Sequence, residues 1–207
     1  LTIDYSSFSS NVQVETTATT SDELTTGNTF EIDPEDGIGA ETFTIGDIIL
    51  TGTVTSPVMT ATKPLTINGD TITLTNGDDL AAIITAINSG TTQVVASQSS
   101  SKLVLTTSVP QLTLTGGVLI DLGLSTHNNL YADKMGQLAI EISDRFTGTR
   151  QFNYVSATVK PTSKTLLLLG GISDGTNGPT SLKFSNSGST LAELGITAGT
   201  YETNSPP

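Results

Sequence analysis

The side chains able to do chemistry are few. His127 is the only histidine, so a Ser-His-Asp triad or a histidine-held metal would rest on it alone. It lies in the polar run Thr126-His127-Asn128-Asn129, which reads as a solvated linker. The run Asp33-Pro34-Glu35-Asp36-Gly37 places three carboxylates within four positions, an oxygen-rich set of the kind calcium takes. It lacks the alternating spacing and terminal bidentate Glu of an EF-hand loop, so it reads as a solvated acidic turn. Asp121 and Glu193 occupy equivalent places in two Leu-x-x-Leu-Gly stretches, which points to a structural role at a turn. A general acid and base would have to lie within roughly 10 Å of each other. The glycine-rich stretch from Gly170 to Pro179 has no P-loop lysine and no helix after it, and is expected as an exposed loop, a candidate contact tip. With no cysteine at all, disulfides, zinc-thiolate sites and a cysteine nucleophile are excluded. The sequence therefore assigns no catalytic residue, no cofactor-binding residue, no metal ligand and no cofactor, and the expectation is a protein that is not an enzyme.

The elements are more informative, and they centre on Leu65 to Ser125. Leu65, Ile67, Ile72 and Leu74 alternate with polar residues on either side of Asn68-Gly69-Asp70, the period of two half-buried strands joined by a tight turn. Asn76-Gly77 turns the chain again, with Asp78 as the expected N-cap and Asp79 in the first helical turn. Leu80, Ile83, Ile84 and Ile87 then make one apolar helical stripe, and Asn88-Ser89-Gly90 supplies its stop. Val94 to Ala96 and Leu103 to Leu105 read as strands about a polar turn, and Leu112 and Leu114 begin another before Gly116-Gly117. One helix on one face of a small sheet is the economical packing.

The hairpin LTINGDTITL, the helix DDLAAIITAIN, the strand SKLVLTT and the ending LTLTGG…LIDLGLS together resemble the flagellin hook-IN motif, found in flagellins, hook-associated and filament-capping proteins and some phage structural proteins. The resemblance covers about sixty residues and brings no catalytic residues with it. It implies a surface-exposed spacer or decoration domain of an extracellular assembly.

Weaker echoes lie outside this stretch. Phe43 to Thr53 can be laid beside the central hairpin, and Asp133 to Phe146 carries a helical stripe at Met135, Leu138, Ile142 and Phe146. Tyr154 to Val159 and Thr165 to Leu169 read as strands. Leu182-Lys183-Phe184 and Leu191 to Thr197 match Leu112-Thr113-Leu114 and Leu119 to Ser125. The expected fold class is α+β, in β-rich small modules of a few-stranded sheet with one short helix each. Two related copies are expected, either in tandem with a truncated second copy or nested. The nested division gives an N-terminal arm and linker with short strands over 1–41, an outer module from 42–56 plus 130–201, an inserted inner module over 64–126, and a tail at 202–207. Within the arm, Val12 and Val14 suggest an arm or edge strand, and 16–27 a linker.

Composition limits the function. Only 35% of residues are hydrophobic, with no Trp, four Tyr and six Phe, so the cores are aliphatic. A formal net charge of −12 disfavours nucleic acid and anionic membranes, which need clustered Lys and Arg. No apolar run of about eighteen residues is available to span a membrane, and no signal peptide is visible. The expected partners are other structural proteins of the same assembly and further copies of the chain, with no nucleic acid and no membrane; a host surface receptor stays open. Without the periodic terminal helices by which flagellins polymerise, the resemblance leads first to a phage virion component of the tail, baseplate, fibre or capsid surface. The alternatives are a domain of a flagellar hook-associated or filament-capping protein, located on a bacterial surface appendage, or a glycan-binding adhesin module.

Overall fold

The structure is a computed structural model that describes residues 12–149, 155–170, 181–186 and 189–202. In chain order the strands and helices are β1 (Gln13–Thr19), β2 (Thr29–Asp33), β3 (Glu41–Thr44), β4 (Ile48–Thr51), β5 (Lys63–Ile67), β6 (Asp70–Leu74), α1 (Leu80–Gly90), β7 (Val95–Ser99), β8 (Lys102–Thr107), β9 (Gln111–Thr115), α2 (Val118–Asp121), β10 (Asn129–Asp133), α3 (Lys134–Thr149), β11 (Val155–Val159), β12 (Thr165–Gly170), β13 (Ser181–Asn186), α4 (Thr190–Leu194) and β14 (Gly199–Glu202). This is the expected β-rich α+β class. The chain divides into two compact units, one formed by Leu1–Gly46 with Met135–Pro207 and the other by Asp47–Lys134.

In the unit Asp47–Lys134, local chemistry builds the centre. Asn68 and Gly69 take φ of 46° and 98°, the left-handed pair that a two-residue hairpin turn demands, so β5 pairs with β6 in the register Leu65 to Ile72. The cap of α1 is Asp79, whose side chain accepts from the Ala82 N–H. Asp78, expected in that role, instead accepts from the Thr75 N–H at 2.7 Å and closes the turn before it. Ile83 and Ile87 bury the apolar stripe of α1 in a core with Leu65, Ile67, Leu74, Leu103, Leu105, Leu112 and Leu114. That core lies between a three-stranded sheet, ordered β4-β8-β7, and a four-stranded sheet, ordered β10-β9-β5-β6. The unit thus has two sheets and two helices, where one sheet and one helix were expected. Met59, between β4 and β5, is buried, and its backbone bonds to Asp78 and Gly77.

The other unit has its own core of Phe30, Ile32, Phe43, Leu138, Ile142, Phe146, Leu166, Leu168, Leu182, Phe184, Leu191 and Leu194. Its sheets are ordered β1-β12-β11 and β14-β13-β2-β3. The stripe Met135, Leu138, Ile142 and Phe146 is buried as its spacing predicts. Of the arm or edge strand suggested by Val12 and Val14, the structure has the edge strand. It runs on to Thr19, into the stretch read as a linker, with Thr16 and Ala18 also buried. A register shift between Glu15 and Thr19 is accommodated by the Thr16 hydroxyl, which accepts the Leu166 N–H.

The hairpin expected at Phe43 to Thr53 does not form. β3 pairs with β2, and β4 pairs with β8 in a different sheet. Both halves alternate as strands should, but alternation specifies a buried face and not a partner. The Gly170 to Pro179 loop lies, apart from Gly170, outside the described residues.

Candidate functional site

Each unit has a short helix followed by a left-handed glycine, and a carboxylate two residues before that glycine is held by donors of the same unit. In the unit Asp47–Lys134, Gly123 at φ 67° follows α2. The Leu124 N–H bonds to the Leu119 carbonyl at 2.9 Å, and the Gly123 N–H to that of Ile120 at 3.1 Å, which is how a left-handed glycine terminates a helix. A Cβ on Gly123 would lie 2.7 Å from the backbone nitrogens of both Thr53 and Val54, so glycine is required for closeness as well as for φ. The Thr53 N–H in turn donates to the Gly123 carbonyl at 3.0 Å. Asp121, two residues before the glycine, takes the Lys63 ammonium at 2.5 Å and so ties the turn to the first residue of β5.

In the other unit Gly195 takes φ 69° after α4, and the Ile196 N–H bonds to the Leu191 carbonyl at 2.8 Å. Glu193 accepts four hydrogen bonds: from the Thr25 N–H and hydroxyl, both at 2.9 Å, from the Asn28 amide at 3.0 Å and from the Ser189 hydroxyl at 3.1 Å. Burial works against its charge, but the hydrogen bonds, led by those of Thr25, outweigh it and hold the carboxyl below its ordinary value. Asp121 and Glu193 are thus tethers for the segments leading into β5 and β2. All of their described bonds go to donors of their own unit.

A second device lies on the sheet edges. β7 is the edge of its three-stranded sheet, and the side-chain amide of Asn88 pairs with it twice: Nδ2 donates to the Ala96 carbonyl at 2.9 Å and Oδ1 accepts the Ala96 N–H at 2.7 Å. β11 is likewise an edge, and the Ser143 hydroxyl accepts the Ala157 N–H at 2.9 Å and lies 3.2 Å from the Ala157 carbonyl. In both cases a helix side chain occupies backbone groups that another strand would use. This is a way of blunting an edge against strand addition. Sequence reasoning missed both residues. Asn88 reads as part of a helix stop and Ser143 lies off the apolar stripe of its helix, and only the proximity of an edge strand gives them this role.

The remaining candidates are used locally. Asp33 accepts the Glu35 N–H at 2.8 Å, Asp36 accepts the Ile38 N–H at 3.0 Å, and Glu35 accepts the Ser181 hydroxyl. The Asp33 and Asp36 bonds close turns with a side chain, and the Glu35 bond ties that turn to the start of β13. Among the described residues no group of three or more His, Asp or Glu side chains could hold a metal ion. His127 is exposed and bonds through Nδ1 to the neighbouring Thr126 hydroxyl, and the residues after it form β10, a strand the polar run did not announce. Glu15 is held below its ordinary value by the Thr165 hydroxyl and then by Lys160 at 2.9 Å. A groove of about 280 Å³ is lined by Ser56, Pro57, Val58, Leu80, Gln98 and neighbours. Its one carboxylate, Asp79, is engaged in capping α1. No described helix is long and apolar enough to cross a membrane.

Comparison with known proteins agrees with this picture of a packing module. Residues 64–109 match the family model for the flagellin hook IN motif, a span running from β5 through α1 to the turn after β8. No curated protein matches the chain. Among solved structures, the crystal structure of the flagellar cap protein FliD from Helicobacter pylori is similar over 93% of this chain and 80% of its own, at 10% identity and a TM-score of 0.30. A superposition that loose does not define a shared fold.

Proposed function

We propose that this chain is a non-enzymatic structural segment of an extracellular, flagellar-type appendage, in which hook-IN-like modules act as spacers or decoration. The observation that carries the reading is the hook IN motif at residues 64–109, because it coincides with the hairpin and helix that organise one core and contains no group poised for catalysis. The polar chemistry around it fits the same role: carboxylates and amides are spent on closing turns and edges, as a domain needs when it is displayed among many copies in an assembly. The partners are other structural proteins of that assembly and further copies of this chain. The match favours the flagellar alternative over the virion component expected from the sequence, and no observation of its own supports the virion reading.

The test is to shear appendages from the producing bacterium, pellet them, and quantify peptides of this chain in the pellet and in purified phage particles from the same host. Enrichment with the sheared appendages is the expected result. Recovery only with phage particles would overturn the proposal.

A further inference from the structure

We infer that the two compact units are copies of one module, and that the copy recognised by the family match is inserted into the other between its hairpin and its helix. The match covers only residues 64–109, so nothing assigns the second copy. The inference does not depend on which assembly the chain serves.

The correspondence is complete at the level of elements. Sheet β4-β8-β7 has its counterpart in β1-β12-β11, and sheet β10-β9-β5-β6 in β14-β13-β2-β3. In both units the chain runs through an edge strand (β4, β1), a hairpin (β5–β6, β2–β3), a long helix (α1, α3), a second hairpin (β7–β8, β11–β12), a single strand (β9, β13), a short helix (α2, α4) and a closing strand (β10, β14). Every strand keeps its neighbours under this exchange. Shared topology alone would be weak evidence, because antiparallel sheets have few solutions.

Details that the topology does not require agree as well. The glycine after each short helix is left-handed, Gly123 at 67° and Gly195 at 69°. Each leaves no room for a Cβ because of a threonine at or just beyond the edge strand, Thr53 in one unit and Thr17 in the other. The residue two before each glycine is a carboxylate, and each reaches the segment at the start of the first hairpin: Asp121 to Lys63, Glu193 to Thr25 and Asn28. Each long helix sends one polar side chain to an edge alanine, Asn88 to Ala96 and Ser143 to Ala157. Those alanines pair with buried leucines, Leu105 and Leu168.

The two copies differ in one connection. In one, β6 ends at Leu74 and α1 starts at Leu80; in the other, β3 ends at Thr44 and α3 starts at Lys134, with the whole first copy between. The outer hairpin is therefore Thr29 to Thr44, one hairpin upstream of Phe43 to Thr53. An insertion is tolerable when its own ends are near each other. Here Ile48 pairs with Thr107 while the Lys134 N–H bonds to the Pro110 carbonyl, and Thr107 and Pro110 are at most about 10 Å apart along an extended chain.

Two experiments on the full chain test this. Hydrogen exchange read by mass spectrometry through a denaturant series should show peptides from 12–46 and 135–202 losing protection in one step and peptides from 47–134 in another. A single step for all of them, or 12–46 opening apart from 135–202, would overturn the nesting. Reciprocal grafts, with Val118–Ser125 replaced by the sequence of Thr190–Thr197 and the reverse, test equivalence. Both grafts should keep both steps, with midpoints shifted by no more than ~1 M denaturant. Loss of the recipient unit's step in both grafts would overturn the claim of a common module.

Discussion

The side-chain amide of Asn88 and the backbone of Ala96 exchange two hydrogen bonds, at 2.9 and 2.7 Å, so that a helix residue takes the place of a neighbouring strand on the edge of a sheet. A short sheet with one helix over it has an unavoidable free edge. In this chain the covering helix closes it, and the same arrangement recurs at Ser143 and Ala157.

Asn88→Ala removes both bonds. Each is worth ~1 kcal/mol net, partly offset by the better helix propensity of Ala, so denaturant unfolding of 47–134 should show a loss of about 1 kcal/mol. The released edge should also raise self-association, read by size-exclusion chromatography against concentration. Unchanged association would count against edge closure as the role of Asn88.

Gly77, in the turn before α1, and Gly123, after α2, separate two costs. Gly77 has φ 92° with open space around its Cβ position, so Gly77→Ala should cost only the left-handed penalty of ~1–2 kcal/mol. Gly123→Ala adds collision with the backbone of Thr53 and Val54, and its cost should reach ~3 kcal/mol or more. Equal losses in the two variants would show that the close approach is not a constraint.

Glu193 makes stability depend on pH. Its carboxyl is held below the ordinary value of 4.5 in the folded protein, so its contribution is fully present above that value and is lost as pH falls through the lower folded value. Glu193→Gln should lower the melting temperature at neutral pH and flatten its fall below about pH 4.5 in the transition of the unit containing α4. A variant with the same pH profile as the parent would remove Glu193 from this role.

Phe146 packs against Phe43 with ring centroids 5.7 Å apart, and neither ring is exposed. Phe146→Ala should cost ~3–5 kcal/mol and move only the transition of 12–46 with 135–202, whereas Ile83→Ala should cost ~2–5 kcal/mol and move only that of 47–134. Differential scanning calorimetry of the two variants distinguishes them.

What the sequence disclosed follows the range of the interactions involved. The Asn68-Gly69 turn, the stripe of α1 and the Leu-x-x-Leu-Gly endings are set by neighbours a few residues away, and they were legible. β10 buries only Asp133 fully, with Leu130 and Ala132 half-buried against the core, too weak a signal in five residues to announce the strand that pairs with β9. Phe43 to Thr53 alternates as a hairpin would, yet Phe43 belongs with Phe30 and Ile48 with Thr107, partners that only the tertiary fold names. The closing carboxylates were legible as turn residues by their repetition at Asp121 and Glu193, but their partners Lys63, Thr25 and Asn28 lie 58 to 168 positions away.

The most direct test of the structural reading is immunogold electron microscopy with antibody to this chain, on the bacterium with intact flagella and on purified virions. The account predicts gold along the filament, at the hook or at the tip. Gold confined to discrete sites on the virion would contradict it.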